Sequence, residues 1–271
     1  MDSQTGAVLA EGSYILGSSN KLGDGYDAVN THIKDTGFEV IPEYSNRNVI
    51  AYKKTEDPTH IHISHKGTSV KSKSGVKDLY SDMLIALGLG GYSTQAKKRK
   101  NKTELILKEL EPKTFTMSSH SLGNYTQNYS IAKSKKVRDN LNIAHGYNGA
   151  STPLFNNDLE VSNKARKELS NRVIHHRTRG DIVSKGMKTS LPFGKLIEYK
   201  LRPTEHERTH KEIYNNVMNK ADLKTKEELK KMNFTEKALY SHHLHHFSNR
   251  VLDPVKSVSY THLTLQTKRI V

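Results

Sequence analysis

Short β-like runs recur along the chain, and each run predicts a β-strand. They are Phe38–Ile41, Val49–Lys53, His60–Ser64, Thr114–Ser118, Leu141–Tyr147, Arg172–His176 and Lys195–Leu201. In some of them, such as His60–Ser64 and Thr114–Ser118, apolar and polar residues alternate. Helices are predicted between these runs at Val76–Leu87, Leu122–Ala132 and Val161–Leu169, and Leu105–Leu110 is predicted to be the end of another helix, stopped by Pro112. Because strands alternate with helices, the pattern predicts an α/β fold, with a mainly parallel sheet flanked by helices.

The chain shows no internal repeat and no long linker, so we predict a single domain over residues 1–257, with polar helices from Glu205 to about Leu229. The last segment, Val258 to Val271, resembles the translation of sequencing-adapter DNA. We therefore exclude residues 258–271 from the fold prediction as a non-native tail. A genuine strand is the alternative for this segment, because Val, Tyr and Thr alternate in it.

Composition narrows the class of protein. Cysteine is absent, no apolar run is long enough for a membrane span, and the first residues lack the pattern of a secretory signal. These features together favour a cytoplasmic protein. The formal net charge of +15 raises the question of an anionic partner.

The densest basic run predicts a solvated loop or a contact with a polyanion or an anionic membrane surface. It comprises Lys97, Lys98, Arg99, Lys100 and Lys102. Basic residues are not interleaved with aromatic ones in the way that stacks nucleic-acid bases, so nucleic acid is not the expected partner.

The stretch "TFTMSSHSLGNY" places small residues where a predicted strand meets a predicted helix. Residues 119–123 have the form G-x-S-x-G, except that Ser119 replaces the first glycine. In a nucleophile elbow, a sharp strand-to-helix turn exposes the serine hydroxyl, and small neighbours allow the backbones to approach closely. The pattern indicates Ser121 as a nucleophile, with His120 packing at the variable position and Gly123 allowing the close approach.

The segment "SSHSLGNY" resembles the "GHSLGG" signature of class 3 lipases, the fungal-lipase-like α/β hydrolases. Upstream, "IHISHKGTS" is similar to that family's strand ending in "RGT", with Lys66 in place of arginine. The following "VKDLYSDML" resembles the helix that carries a family aspartate, here Asp82. The resemblance implies a serine esterase without a cofactor, with oxyanion donors at the backbone amides of Thr68 and Leu122 and with Asp82 orienting Thr68.

A serine nucleophile needs a base and a carboxylate that orients the base. The segment "NRVIHHRTRGDIVS" resembles the family's aspartate segment and indicates Asp181, ahead of Asp139 and Asp158. The segment "HHLHHF" resembles the histidine segment of viral and protist members of the family and indicates His242 as the base. His243, His245 and His246 remain alternatives.

Two other functions stay open. The sequence "HERTH" matches the zinc-binding pattern H-E-x-x-H through His206, Glu207 and His210, although its charged flanks favour an exposed helix without a metal. The departures at Ser119 and Lys66 also suit a binding protein that keeps the hydrolase fold without catalysis. We expect an enzyme that acts on a lipid or a small ester.

Overall fold

In the part of the chain that the structure describes, eight strands form one sheet whose strand order follows chain order. The structure is a computed structural model that describes residues 1–67, 91–150, 159–181, 183–184, 191–201 and 252–259. The strands are β1 (Phe38–Val40), β2 (Val49–Lys54), β3 (His60–His65), β4 (Thr114–His120), β5 (Leu141–Tyr147), β6 (Val173–Thr178), β7 (Lys195–Leu201) and β8 (Leu252–Ser259). The helices are α1 (Ser3–Ser18), α2 (Leu22–Ile33), α3 (Gly91–Glu109), α4 (Leu122–Lys133), α5 (Lys135–Asn140) and α6 (Asn163–Leu169), with short 3₁₀ turns at Lys34–Thr36 and Pro42–Tyr44.

Strands β3 to β7 are parallel to one another, whereas β1, β2 and β8 pair in antiparallel fashion at the two sides of the sheet. Parallel neighbours require crossover connections, and helices α3, α4 and α6 lie in them within the described residues. The carboxyl ends of five strands therefore share one edge of the sheet. This architecture confirms the predicted fold class, an α/β fold with a mainly parallel sheet flanked by helices.

Helix α1 covers one face of the sheet. Its first turn is capped by Asp2, whose carboxylate accepts hydrogen bonds from the amides of Gln4 and Thr5, each at 2.9 Å. The hydroxyls of Tyr52 and Ser64 donate to the carbonyl of Leu9 at 2.8 and 3.1 Å and so fasten the helix to strands β2 and β3. The sequence patterns did not predict α1 or α2.

Helices α3 and α4 cover the opposite face, where the largest apolar cluster lies. Ile63, Phe115 and Met117 project from the sheet into this cluster, and each is fully buried. Leu122 and Tyr125 from α4 pack against them. The alternation along β4 thus puts apolar side chains on this face and polar ones, such as Ser118, beneath α1.

The predicted strands agree with the observed ones to within two residues at each end. Helix α6 begins at Asn163, two residues later than predicted, because the hydroxyl of Ser162 caps it through the amide of Ala165. Strand β8 was not predicted, and its last two residues, Val258 and Ser259, belong to the segment that we had excluded as a tail. The predicted helices at 76–87 and 205–229 lie outside the described residues.

The predicted basic loop at residues 97–102 is wrong, because this run belongs to helix α3. Helical geometry distributes its cations around the helix instead of concentrating them on one side. Arg99 is buried and donates to the carbonyl of Lys66, so it is not part of an exposed basic surface. Lys100 forms an ion pair with Glu104 at 3.0 Å, whereas Lys97 and Lys98 are exposed.

Candidate active site

Ser121 occupies the corner between β4 and α4 in a conformation that few residues adopt. Its backbone dihedrals are φ 55° and ψ −130°, outside the regions that L-residues normally populate. Such backbone strain costs on the order of 1–3 kcal/mol and persists only where the surroundings impose it. Three hydrogen bonds hold the corner: the amide of Ser121 donates to the carbonyl of Tyr147 at 3.0 Å, and the carbonyl of Ser121 accepts from the amides of Asn124 and Ala150 at 3.0 and 3.2 Å.

Two glycines allow the backbone after β3 to lie directly against this corner. A Cβ atom on Gly123 would lie 2.3 Å from the carbonyl oxygen of His65 and 2.8 Å from the carbonyl carbon of Lys66. A Cβ atom on Gly67 would lie 2.6 Å from the carbonyl oxygen of His120 and 3.1 Å from the Cβ of Ser121. The end of β3 therefore touches the elbow through backbone atoms on both sides.

We expect replacement of Gly123 by alanine to destabilise the protein by about 1–3 kcal/mol or more, because backbone atoms cannot move aside as a flexible side chain does. The matched control is Gly23→Ala in α2, where a Cβ atom would meet nothing within 4 Å. That change is expected to stabilise the helix by about 0.5–1 kcal/mol. Urea denaturation of both variants checks this, and equal midpoints for the two would contradict the described packing.

One of the two proposed oxyanion donors, Leu122, lies at this corner. Leu122 is the first residue of α4, and an amide at this position has no acceptor within its own helix. Its side chain is buried in the core. Thr68 follows Gly67 directly in the chain but lies outside the described residues, as does Asp82.

Asp181 lies at the same edge of the sheet, in the loop after β6. It is 1% exposed, and its two carboxylate oxygens accept hydrogen bonds from the amides of Val183 at 3.1 Å and of Ser184 at 2.9 Å. The hydroxyl of Ser184 also donates to the carboxylate. These bonds fix the orientation of the carboxylate, as an orienting group for a base requires. Asp139, the described alternative, is instead an exposed partner of Lys135.

Asn148, which the sequence analysis did not single out, connects the serine corner with the loop of Asp181. It has φ 41° immediately after β5, and its amide donates to the carbonyl of His176 at 2.7 Å. Its side-chain oxygen accepts from the amide of Thr178 at 2.7 Å, and the carbonyl of Thr178 accepts from the amide of Asp181 at 3.2 Å. The Asn148-Gly149 dipeptide is a turn signal that could have pointed to this residue.

His120 lies beneath α1. Its Nδ1 atom is 2.8 Å from the hydroxyl of Tyr14, and the two rings pack edge to face. The ammonium group of Lys66 lies 5.8 Å from the centre of the Tyr14 ring. His120 and Lys66 therefore both contact Tyr14 in the carboxyl-terminal half of α1, a role of Tyr14 that was not predicted from the sequence.

Ser119, which takes the place of the first glycine in the motif, fits within strand β4. It is completely buried, and its hydroxyl has no hydrogen-bond partner among the described residues. A buried hydroxyl without a partner costs stability. The extra atoms of serine are accommodated because the turn begins only after His120.

The remaining predicted residues cannot be placed. His242 and its alternatives His243, His245 and His246 lie outside the described residues, as do His206, Glu207 and His210 of the zinc-like motif. Within the ranges that are described, histidine, cysteine and acidic side chains do not form a group of three suited to a metal ion. In the same part of the chain, none of the helices combines the length and apolar character needed to span a bilayer.

Comparisons with known proteins do not show a family for this chain. Neither the family scan nor the search of curated proteins found a match to this sequence. Among solved structures, the chain is similar to one described as a Rhizomucor miehei lipase propeptide complex in a deletion-mutant form, with 14% identity and a TM-score of 0.44. The similarity covers 86% of this chain and 78% of that chain. At this level it carries no assignment of function.

Proposed function

We propose that this protein is a serine hydrolase that acts on carboxylic esters. The observation that carries the proposal is the strained backbone of Ser121 between β4 and α4, held against Gly67 after β3. Strain of this kind clusters at functional sites, and a nucleophile elbow is where an α/β hydrolase uses it. The resemblance of the surrounding motifs to class 3 lipases supports the same conclusion.

In the proposed reaction, the hydroxyl of Ser121 attacks the ester carbonyl while the base removes its proton. The resemblance assigns the base to His242, which then returns the proton to the leaving alkoxide. Asp181 fixes the imidazole tautomer and stabilises its positive charge. The amides of Leu122 and Thr68 stabilise the oxyanion, and water then releases the acid from the acyl-enzyme. The proposed mechanism uses side chains, backbone amides and water, and it requires no cofactor.

Pre-steady-state hydrolysis of a short p-nitrophenyl ester tests the proposal. We expect a burst of p-nitrophenol close to one equivalent per protein molecule, because acylation precedes slower release of the acid. If deacylation is faster than acylation, hydrolysis proceeds without a burst. Trapping of the acyl-enzyme at low pH then distinguishes this case from hydrolysis without a covalent intermediate. A protein that shows neither turnover nor an acyl adduct would contradict the proposal and favour the non-catalytic binding protein.

A further inference from the structure

We propose that the two short helices α5 and α6 form a binding surface for duplex nucleic acid, contacted through its phosphates. The choice of a duplex over a membrane rests in part on the proposed function, because it uses the position of Ser121. We call this surface the basic edge, and it comprises the exposed lysines and half-buried arginines of two segments, namely Lys133, Lys135, Lys136, Arg138, Lys164, Arg166, Lys167 and Arg172. The same two segments contain only two acidic residues, Asp139 and Glu168.

The fold brings these two segments together, although they are about thirty residues apart. Helix α5 directly precedes β5, and α6 precedes β6, and these two strands are parallel neighbours. Both helices therefore lie at the edge where the parallel strands begin. The guanidinium group of Arg172 donates to the carbonyls of Arg138 and Leu141, which fastens the start of β6 to the end of α5.

The arginines and lysines of the basic edge have different roles. Arg138 donates to the carbonyls of Ile131 and Ala132 at 2.9 and 2.6 Å, so its guanidinium group holds the end of α4. The lysines, in contrast, are exposed. Lys135 forms an ion pair with Asp139, and this contact, helped by Arg138 and Arg172, lowers the pKa of the Asp139 carboxyl. The Asp139 carboxylate therefore stays negatively charged, but basic side chains outnumber acidic ones in the two segments.

A duplex suits this surface better than other anionic partners. The two segments contain no aromatic residue, so the surface offers no platform for stacking the bases of a single strand. Closely spaced backbone phosphates are the remaining feature that exposed lysines recognise in nucleic acid. From the sequence, nucleic acid is disfavoured because aromatic residues for base stacking are lacking, and a polyanion contact is considered only for residues 97–102.

The position of the basic edge disfavours a membrane as its partner. The basic edge lies at the start of the strands, whereas Ser121 follows the end of β4, about 20 Å away along a seven-residue strand. A bilayer that presented a lipid to Ser121 would contact the opposite edge. The large apolar side chains that are exposed in the described residues, Leu22 and Leu105, also lie outside the two segments.

Fluorescence anisotropy with a labelled duplex of about 20 base pairs tests this proposal across a salt series. Three to four phosphate contacts predict a slope of about −3 in the logarithm of the binding constant against the logarithm of the salt concentration. The variant Lys136→Glu/Lys167→Glu is expected to weaken binding by about tenfold or more and to reduce the slope by about two.

The matched control is Lys97→Glu/Lys98→Glu on helix α3, which changes the net charge by the same amount at another exposed site. It is expected to change affinity less than about threefold, since it removes only long-range attraction. Equal losses from both variants, absence of duplex binding by the wild-type protein, or binding to phosphatidylserine vesicles in its place would each overturn the proposal. If the melting temperature of the Glu variant falls, Lys133→Gln/Lys164→Gln provides a second, milder test.

Discussion

Replacement of Ser121 by alanine is expected to lower the turnover of a short p-nitrophenyl ester by roughly 10⁴-fold or more. The reason is that the hydroxyl is the atom that forms the acyl-enzyme, and no neighbouring group in the described corner can take its place. The backbone of residue 121 has positive φ, and alanine tolerates this conformation no worse than serine does. The variant should therefore fold, and its melting temperature should stay close to that of the wild type.

The matched control is Ser119→Ala, which removes a hydroxyl two residues earlier in the same motif. Because the Ser119 hydroxyl is buried without a partner among the described residues, its loss is expected to leave turnover within about threefold and to raise stability slightly. Steady-state kinetics of the two variants tests both predicted effects on turnover. Equal activity of Ser121→Ala and wild type would refute the nucleophile assignment.

Acid is expected to unfold the protein in a pH range where most domains are still stable. Among the described residues, five histidines are at most 3% exposed and have lowered pKa values: His62, His65, His145, His175 and His176. Burial lowers their pKa values from the ordinary 6.5, to about 3 for His65 and to about 4 for His145 and His175. For His62 and His176 burial also lowers the pKa well below the ordinary value.

The direction in which pH changes the free energy of unfolding follows from proton binding. Between pH 6.5 and the lowered pKa values, the unfolded chain binds protons that the folded protein does not, so the free energy of unfolding falls as the pH falls. Each buried histidine contributes more than about 1 kcal/mol per pH unit in this range. Since the total stability of a domain is about 5–15 kcal/mol, five such groups suffice to unfold it within about two pH units below 6.5.

Urea denaturation at pH 7.5, 6.5 and 5.5 measures this effect. The midpoint is expected to fall at each step below neutral pH, and a constant midpoint over this range would contradict the described burial. His65→Gln provides a control, because the two ring nitrogens of His65 contact only the hydroxyls of Thr126 and Thr103, at 3.1 and 3.0 Å. An amide can retain part of this bonding, and the variant should show a shallower pH dependence by about one proton.

The sequence was sufficient to predict the parallel strands and the corner at Ser121. Strands such as β4, with TFTMS at residues 114–118, alternate apolar and polar residues, and the small residues around Ser121 favour neither a strand nor a helix. These signals are local, so they can be read without knowing what packs against them. The position of Asp181 after a strand was also local information.

Helix α1 could not be predicted in this way, because its stability depends on contacts with sheet residues that are distant in the sequence. Gly6 and Gly12 weaken a helix in isolation. In the structure, a Cβ atom at these positions would lie 2.7 Å from the hydroxyl of Tyr147 and 2.5 Å from that of Tyr52. The glycines thus let α1 approach the sheet, and the contact supplies the stability that their local propensity lacks.

The role of Asn148 and the burial of Arg99 were hidden for the same reason. Asn148 acts through Thr178, thirty residues away, and Arg99 through the carbonyl of Lys66. In the sequence, Arg99 is one of several adjacent cations, and only the helical geometry of α3 turns it inward while leaving Lys97 and Lys98 exposed. Long-range pairing of this kind leaves no periodic signal in the chain.

Reaction with a fluorophosphonate probe, followed by mass spectrometry of the digested protein, tests the central claim most directly. A serine that an adjacent base activates reacts covalently with the probe, whereas an ordinary surface or buried serine does not. We predict one phosphonyl group per protein molecule, on the peptide that contains Ser121, with no such adduct on the Ser121→Ala variant. An unmodified protein, or an adduct on a different serine, would contradict the assignment of Ser121 as the nucleophile.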